Sequence, residues 1–317
     1  MKSSYLDAYR SGRLKNMAQK AFAMLNLCCL CPRNCRVDRL NEKAGFCLIK
    51  DKPMIYSFMP HHGEEPGISG KNGSGTIFFS GCNMRCVYCQ NYEFSQKAKG
   101  REVGPEELAG IMLNLQEKGC HNINLVTPTH VMPMILKALL LAIPRGLYIP
   151  LVYNTSGYES FGILKMLEGI VDIYLVDMRY ADNQAAAKYS NARDYPHYNR
   201  LAVKEMHRQI SDTKINSDGI IERGIIIRHL VLPNGISHTA EIMQFIAGDI
   251  SKDTYISLMS QYFPFYKAKL YPEIRRRINR PEYAKAQEAM DKNGLYNGWL
   301  QDSGDLERFA GTNIKPG

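Results

Sequence analysis

Length, composition and charge limit the classes of protein to which this sequence can belong. The chain has 317 residues, of which 45% are hydrophobic and 22% charged. This composition is ordinary for a globular protein, and the length is enough to bury a full-sized core. No apolar run approaches the ~20 residues that span a bilayer, which excludes a membrane-spanning protein. The first seven residues contain no apolar signal core, so we expect a cytoplasmic location.

The net charge bears on the choice of partners. Forty Lys and Arg residues against 31 Asp and Glu residues give +9, and a positive charge favours acidic partners. An acidic electron donor such as a flavodoxin or a ferredoxin is one candidate and nucleic acid is another, although a solvated surface with a modest excess is the simplest interpretation. The densest basic run, Arg275-Arg276-Arg277 with Arg280, has no interleaved aromatic residues, so its support for nucleic acid is weak.

The first third of the chain contains a helix and then irregular segments. Apolar periodicity predicts a helix over 3–26. A cysteine-rich loop follows over about 28–50, and five glycines with two prolines over 60–75 are typical of a linker.

From residue 76 onward, short apolar runs alternate with helical patterns. The runs are nearly continuous, as in strands that are buried on both faces of a parallel sheet. The predicted strands cover 76–80, 123–126, 147–153, 171–177, 224–232 and 254–259. The predicted helices cover 105–118, 132–141, 162–167, 239–247 and 281–292. Pro105 followed by Glu106 and Glu107 is a favourable helix start.

Six β-α units in series predict an α/β fold, either a wound sheet or a partial barrel, with right-handed crossovers. We divide the chain into an N-terminal helix and cysteine-rich metal-binding extension over 1–72, a barrel over 73–300 and a C-terminal tail over 301–317. In such folds the chemistry lies at the carboxyl ends of the strands. Nearly every residue that follows a predicted strand is polar or small, so we expect the active site at this edge.

The cysteines are the most informative residues. There are nine, and eight of them lie in two groups, which favours metal over disulfides in a reducing compartment. Cys82, Cys86 and Cys89 form C-x3-C-x2-C directly after the first predicted strand. Three thiolates this close can hold one face of an iron–sulfur cubane and leave the fourth iron open. Structural zinc needs four ligands, and no fourth Cys or His lies near this loop in sequence, so a [4Fe-4S] cluster is favoured over zinc.

Around this triplet the sequence resembles the radical SAM superfamily, and more narrowly its pyruvate formate-lyase activating enzyme-like (PflX-like) branch. The resemblance is carried by the segments 73–91, 152–158, 171–177, 228–233 and 259–262. It implies a partial (β/α)6 radical SAM barrel with a small N-terminal cysteine-rich, helix-plus-loop extension. It also implies an oxidoreductase whose [4Fe-4S] cluster reductively cleaves S-adenosyl-L-methionine (SAM) to a 5′-deoxyadenosyl radical.

The resemblance further implies where SAM would be bound. The second strand tip, which usually reads Gly-Gly-Glu, here reads Thr127-Pro128-Thr129-His130, so that hydroxyls and backbone carbonyls would contact the SAM amino group. The tips that read Asp-Thr-Asn-Gly and Asp-Leu-Lys in activating enzymes here read Asn154-Thr155-Ser156-Gly157 and Asp177-Met178-Arg179. The predicted SAM contacts are Tyr88, Thr127, Thr129, His130, Asn154, Ser156, Asp177, Arg179 and His229.

Some of these residues have a structural alternative. Asp177 would bind ribose hydroxyls and Arg179 the SAM carboxylate, which a guanidinium fits well, or the two would form an internal ion pair. His229 would reach SAM or be a hydrogen-bonded core histidine, which is the commoner case. The polar segment 61–66 would cover the active site, contribute a ligand to the metal, or be a plain linker, which is the simplest interpretation.

Cys28, Cys31, Cys35 and Cys47 form a second group, C-x2-C-x3-C-x11-C. Four thiolates satisfy either tetrahedral zinc or a closed [4Fe-4S] cluster, and the spacing leaves both open. A small segment with few apolar residues needs such a metal to fold. A cluster here would relay electrons or bind substrate. Activating enzymes with ferredoxin-type inserts carry them after the triplet, whereas this group precedes it.

The expected function is therefore that of a radical SAM enzyme which abstracts hydrogen from a protein or peptide substrate, for example as a glycyl-radical-enzyme activase. One alternative is radical SAM modification of a small molecule or RNA. A second alternative is a non-catalytic iron–sulfur or zinc protein.

Overall fold

The computed structural model describes residues 3–301, so most of the predicted tail, 302–317, lies outside the described residues. The strands are β1 (Met54–His61), β2 (Ser74–Phe79), β3 (Arg101–Glu102), β4 (Ile123–Val126), β5 (Leu151–Thr155), β6 (Ile173–Asp177), β7 (Lys214–Ile215), β8 (Ile221–Leu230), β9 (Tyr255–Met259) and β10 (Gly298–Leu300). The helices are α1 (Ser4–Arg10), α2 (Arg13–Ala23), α3 (Pro66–Ser69), α4 (Tyr92–Ser95), α5 (Pro105–Glu117), α6 (Met132–Ala142), α7 (Phe161–Met166), α8 (Asn183–Ser190), α9 (Tyr195–Ile210), α10 (Thr239–Phe245) and α11 (Arg280–Lys292).

The sheet has the order β10-β9-β8-β6-β5-β4-β2-β1-β3, and β7 pairs with β8 off this path. The six predicted strands correspond to β2, β4, β5, β6, β8 and β9. They lie side by side in chain order and are all parallel, and the sheet does not close. The predicted α/β fold, a partial (β/α) barrel, is therefore confirmed.

Burial explains why these segments form strands and helices. Every residue of β2, β4, β5 and β6 is buried, as expected for apolar runs that helices cover on one face and the barrel interior on the other. Helix α5 begins with Pro105 at its first turn, followed by two glutamates that favour a helix N-terminus. Helix α6 packs between α5 and α2, so the N-terminal helices cover the barrel.

Two predictions for the first third of the chain are wrong. The helix predicted over 3–26 is interrupted at Gly12, whose φ of +74° a glycine adopts without strain. The segment 60–75, predicted as a linker, instead contains the end of β1, the short helix α3 and the start of β2. Strand β1 runs antiparallel to β2, so it belongs to the barrel sheet although it precedes residue 73. The division of the chain at residue 72 stays a prediction.

Helices α8 and α9 were not predicted. Helix α9 lies at the carboxyl end of β6, because the Tyr195 hydroxyl and the Asn199 side chain both donate to the Asp177 carbonyl at 2.9 Å. Asp182 begins α8 because its carboxylate accepts a hydrogen bond from the backbone N–H of Ala185 at 2.6 Å. Between residues 3 and 301, no helix combines the length and the apolar content that a bilayer crossing requires.

Candidate active site and metal centres

The triplet loop, residues 81–89, follows the carboxyl end of β2. It opens at Gly81, whose φ is +81° and where an added Cβ would lie 2.3 Å from the carbonyl oxygen of Cys47. Burial raises the pKa of the Cys82 thiol to about 12, and the neighbouring Cys86 and Cys89 thiols add to the shift. Burial likewise raises the pKa of Cys89 to about 11, with Cys86 as the next contribution. The three thiols therefore lie close enough to interact, and a bound metal would displace their protons.

Polar groups around the triplet point to the sulfur atoms. The backbone N–H of Met84 lies 3.4 Å from Cys82 Sγ, and the Ser95 hydroxyl lies 3.2 Å from Cys89 Sγ. The Cys86 Sγ accepts from the Ser190 hydroxyl at 3.0 Å. Hydrogen bonds to sulfur stabilise the thiolate form, which is the form that binds metal.

The conformation of this loop depends on distant elements. The backbone N–H groups of Arg85 and Val87 donate to the carbonyls of Ser190 and Tyr189 at 3.0 and 2.8 Å. The Asn83 side chain donates to a backbone carbonyl after β5 at 2.7 Å. The end of α8 and the tip of β5 thus hold the triplet loop in place.

A cleft opens beside the triplet at the carboxyl edge of the sheet. Its polar and aromatic lining consists of His61, Glu64, Glu65, Phe78, Tyr88, Cys89, Gln90, Asn91, Asn154, Asp177, Arg179, Arg228, Gln261, Tyr262 and Phe263. The lining combines a triplet cysteine with strand-tip residues of β5, β6 and β8, as the sequence predicted for an active site at this edge.

Asp177 is at the centre of the charges in the cleft. Its carboxylate forms ion pairs with Arg179 and, at 2.8 Å, with Arg228. Burial opposes ionisation, but Arg228 and Arg179 together hold the pKa of Asp177 below its usual value. Arg228 also donates to the Asn154 side chain at 2.7 Å and lies 3.5 Å from Glu64. At the other end, Arg179 Nη1 lies 3.9 Å from Cys86 Sγ. A continuous polar network thus runs from the thiols to Glu64.

Four of the nine predicted SAM contacts line this cleft, namely Tyr88, Asn154, Asp177 and Arg179. The internal ion pair between Asp177 and Arg179 is present, and both residues still face the cleft. The Tyr88 hydroxyl bonds to that of Tyr180 at 2.5 Å, and its ring meets Tyr262 edge-on with centroids 5.7 Å apart, so the ring is held firmly.

The other five predicted contacts lie outside the cleft lining, and their role stays a prediction. Both ring nitrogens of His229 are engaged, by the Met178 carbonyl at 2.7 Å and the Thr239 hydroxyl at 2.9 Å. Burial lowers the pKa of His229 to about 4. This is the environment of a hydrogen-bonded core histidine.

His130 and Thr129 are similarly engaged within the protein. His130 Nε2 lies 2.8 Å from the Ser80 carbonyl, and burial lowers its pKa to about 3. Thr129 donates to Glu159 at 2.6 Å. Thr127 has a φ of +56° and its N–H donates to a backbone carbonyl of β5 at 2.8 Å. Ser156 is buried, and its hydroxyl has no hydrogen-bond partner among the described residues.

The sequence did not predict Arg228, Glu64 or Glu65 as individual site residues. A signal for Arg228 existed, because it adjoins His229 in a strand and neighbouring strand residues face opposite sides. Because the His229 side chain faces the core, that of Arg228 has to face the opposite side of the sheet. There Arg228 pairs in register with Asp177. The two glutamates lie in the segment 62–65 between β1 and α3, which we call the acidic strap.

The second cysteine group forms a compact loop. The N–H of Cys28 donates to the Val37 carbonyl and that of Arg36 to the Cys28 carbonyl, at 3.0 and 2.9 Å. Burial raises the pKa of Cys31, and the thiols of Cys47, Cys35 and Cys28 contribute to the same shift. The N–H of Phe46 lies 3.4 Å from Cys35 Sγ, and the buried Arg39 lies 3.8 Å from Cys28 Sγ. The four thiols therefore lie within electrostatic reach of Cys31, and those of Cys28 and Cys35 receive donors.

All nine cysteines are free thiols. Within residues 3–301, no three His, Cys, Asp or Glu side chains form a group that could hold a single metal ion. The thiolates on a cubane each bind a different iron atom, so a cluster does not require them to converge on one ion.

The two cysteine groups adjoin. Arg33 donates from Nε to the Asn83 carbonyl at 2.8 Å and lies over the Phe46 ring, 3.8 Å from its centroid. Arg85 donates to the Phe46 carbonyl and also lies over this ring, 4.3 Å from its centroid. Two arginines and one aromatic ring therefore join the loop of the second group to the triplet loop.

Glu159, which follows β5, is expected to make stability depend on pH. It is 1% exposed. Burial raises its pKa to about 7 from the ordinary 4.5, although hydrogen bonds from Thr129, Thr155 and Tyr153 oppose the shift. Because the folded pKa is the higher one, the stabilisation is complete below about pH 4.5 and is lost as the pH rises through about 7. Relative to Glu159→Gln, the wild type should lose about 2 kcal/mol of unfolding free energy between pH 5 and 8.

Urea unfolding of both proteins at the two pH values measures this difference. Equal pH dependence in wild type and Glu159→Gln would show that Glu159 is ionised throughout.

Comparison with known proteins agrees with this geometry. The sequence profile of the Radical SAM superfamily matches residues 76–246, a segment that begins in β2 and includes the triplet loop. An uncharacterized protein from Methanocaldococcus jannaschii is 34% identical over 278 residues, which cover 84% of this chain and 75% of the relative. The superfamily implies a [4Fe-4S] cluster and SAM as cofactors. The chain belongs to the radical SAM superfamily.

Proposed function

We propose that Cys82, Cys86 and Cys89 hold the [4Fe-4S] cluster and that the adjoining cleft binds SAM. The observation that carries the proposal is that one cleft is lined by Cys89 of the triplet and by the charged strand-tip residues Asp177 and Arg179. Bound there, the cluster and SAM would supply the 5′-deoxyadenosyl radical chemistry that abstracts hydrogen from a substrate.

The residues of the cleft fit a polar ligand. Arg179 Nε and Gln261 Oε1 are buried in its wall and have no hydrogen-bond partner within residues 3–301. Buried polar atoms are usually paired, so a donor and an acceptor are left for a ligand that carries both kinds of group. SAM carries a carboxylate, an amino group and hydroxyls.

Each cleft residue then has a specific task. Arg179, 3.9 Å from Cys86 Sγ, holds the SAM carboxylate beside the cluster through charge-assisted hydrogen bonds. Asp177 accepts from ribose hydroxyls with the lone pairs that its two arginines leave free. Tyr88, fixed by Tyr180 and Tyr262, packs against the adenine. Asn154 adds an amide at the same strand edge.

For the substrate, we propose a protein or peptide, with the activation of a glycyl-radical enzyme as the specific case. The support is the resemblance of the triplet and strand-tip segments to pyruvate formate-lyase activating enzymes. The net charge of +9 suits an acidic electron donor such as a flavodoxin or ferredoxin. Nine free cysteines suit a reducing compartment, and we propose a cytoplasmic location.

The test begins with anaerobically reconstituted protein, SAM and dithionite, with 5′-deoxyadenosine as the product measured. A candidate glycyl-radical enzyme is then added and examined by electron paramagnetic resonance. We expect 5′-deoxyadenosine and a radical on the partner. A mass shift on a metabolite or an RNA, with no radical on the partner, would favour the small-molecule or RNA alternative. Failure to cleave SAM even with cell extract would refute the enzymatic proposal.

We further propose that Cys28, Cys31, Cys35 and Cys47 bind a second metal, either zinc or a [4Fe-4S] cluster. The supporting observation is that Cys31 lies within electrostatic reach of the other three thiols. Because this loop contacts the triplet loop through Arg33 and Arg85, a cluster here would lie beside the first one and could pass electrons to it.

A further inference from the structure

The acidic strap forms the wall of the cleft on the side away from the cysteine triplet. Both of its glutamates line the cleft. Glu65 is only 3% exposed, and the Glu64 side chain is 9% exposed. A carboxylate buried to this degree costs free energy unless a cation or several donors meet it.

The charges of the cleft are not balanced. Three carboxylates, those of Glu64, Glu65 and Asp177, face the two guanidinium groups of Arg179 and Arg228. Asp177 forms ion pairs with both arginines, whereas Glu64 has the longer contact of 3.5 Å with Arg228 and accepts from the Asn154 side chain at 3.5 Å. One carboxylate more than the arginines can neutralise is therefore buried in this wall.

The carboxyl group that no arginine neutralises is that of Glu65. Its Oε2 is buried and has no hydrogen-bond partner among residues 3–301. Arg228 acts on Glu65 from a distance, yet burial still raises the pKa of Glu65 to about 7. The unpartnered oxygen is an acceptor when Glu65 is ionised, so a donor that also carries a positive charge would both pair with it and favour the ionised form.

The position of the strap indicates which ligand supplies that group. Along the polar network, Arg179 is next to Cys86, Asp177 is next to Arg179, and Arg228 separates Asp177 from Glu64. In the proposed function, on which this inference rests, the amino-acid end of SAM lies beside the triplet. The strap is therefore at the end of the network away from the triplet, in the part of the cleft that remains for a substrate.

We infer that Glu64 and Glu65 bind a positively charged group of the substrate, an ammonium or a guanidinium, and so select a basic substrate. A primary amine or guanidinium offers several N–H donors, which suits Glu65 Oε2 and the partly satisfied Glu64 together. A neutral donor could pair with the same oxygen but would leave the carboxylate charge uncompensated, so this site should favour cations over uncharged analogues.

The test uses small probes, because they enter the cleft whatever the rest of the substrate is. Butylamine and butylguanidine are compared with butanol and butyramide for binding to the reconstituted, SAM-loaded wild-type protein, by ligand-observed NMR. We expect the cations to bind at least about tenfold more tightly, a difference of about 1.4 kcal/mol. This measurement does not depend on SAM cleavage. The preference for cations can therefore be absent while SAM is still cleaved, and it can be present while SAM is not cleaved.

Two variants test whether Glu65 is the residue that causes the preference for cationic probes. Glu65→Gln keeps the shape of the side chain and removes its charge, and it should abolish the preference for cations. The exposed Glu106 of α5 provides the matched control, because Glu106→Gln removes the same charge far from the cleft and should retain the preference. Iron content and circular dichroism verify that both variants are folded and loaded. Glu64→Gln, which should weaken the preference, is the second variant if Glu65→Gln does not fold.

Three outcomes would overturn the inference. The first is that wild type binds cations and neutral probes equally, or binds none of them. The second is that Glu65→Gln keeps the preference. The third is that Glu65→Gln weakens SAM binding itself at least tenfold, which would assign the carboxylate to the SAM amino group instead of to the substrate.

Discussion

Replacing Cys86 with alanine is expected to remove the cluster of the active site and to abolish SAM cleavage. The side chain is buried, accepts from the Ser190 hydroxyl at 3.0 Å and lies 3.9 Å from Arg179 Nη1. Alanine offers no ligand in its place, and the neighbouring donors then face a small cavity. Loss of an outer-shell partner alone costs metal sites about 10–100-fold, so loss of the ligand should reduce 5′-deoxyadenosine formation by more than about 100-fold.

Cys120 provides the matched control. It is also a buried free thiol, 3% exposed, but it lies outside both cysteine groups. Cys120→Ala should retain the iron, the visible absorbance and the rate of SAM cleavage of the wild type, with only the small loss of stability that follows removal of one buried atom. If Cys86→Ala kept the iron and the activity of Cys120→Ala, the triplet would not be the cluster site.

The second large effect is expected for the double variant Cys31→Ala/Cys35→Ala. Two of four ligands are then missing from a loop that contains few apolar residues, so the second metal should be lost completely. If both groups hold clusters, anaerobic analysis should find about eight irons in wild type and about four in the variant. If the second metal is zinc, wild type should contain about four irons and one zinc, and the variant should lose the zinc.

A variant at Cys29 is the control that distinguishes the loss of a thiol from the loss of a metal ligand. It lies next to Cys28 in the same loop and is only partly exposed, but the spacing assigns it no metal. Cys29→Ala should keep the complete metal content. Equal metal content in all three proteins would refute the proposed second centre.

The parallel core of this fold could be predicted because its signal is local. Strands buried on both faces consist of nearly continuous apolar runs, and all six such runs are strands. Their boundaries were less predictable. The run predicted over 147–153 contains Pro150, which lacks the N–H that a ladder needs, and β5 accordingly begins at Leu151 and continues through the polar but buried Asn154 and Thr155.

The remainder of the site depends on contacts between residues that are distant in sequence. Strand β1 carries half-exposed and polar residues and ends near Pro60, so its pairing with β2 has no periodic signal. Arg228 belongs to the site only because β8 pairs with β6 in the register that brings it to Asp177. The glutamates of the acidic strap reach the cleft because β1 and α3 position the short segment between them. None of these placements follows from local propensity.

The close approach of Gly81 to the Cys47 carbonyl is expected to couple the folding of the two cysteine groups. The backbone at the start of the triplet loop lies against the carbonyl of the last cysteine of the second group, with no room for a Cβ. If both groups bind metal as proposed, metal in either group would stabilise the wall against which the other group folds. Coupling of this kind is reciprocal, so each centre would raise the affinity of the other by the same factor. We therefore expect cooperative loading, in which damage to one centre weakens the retention of its neighbour.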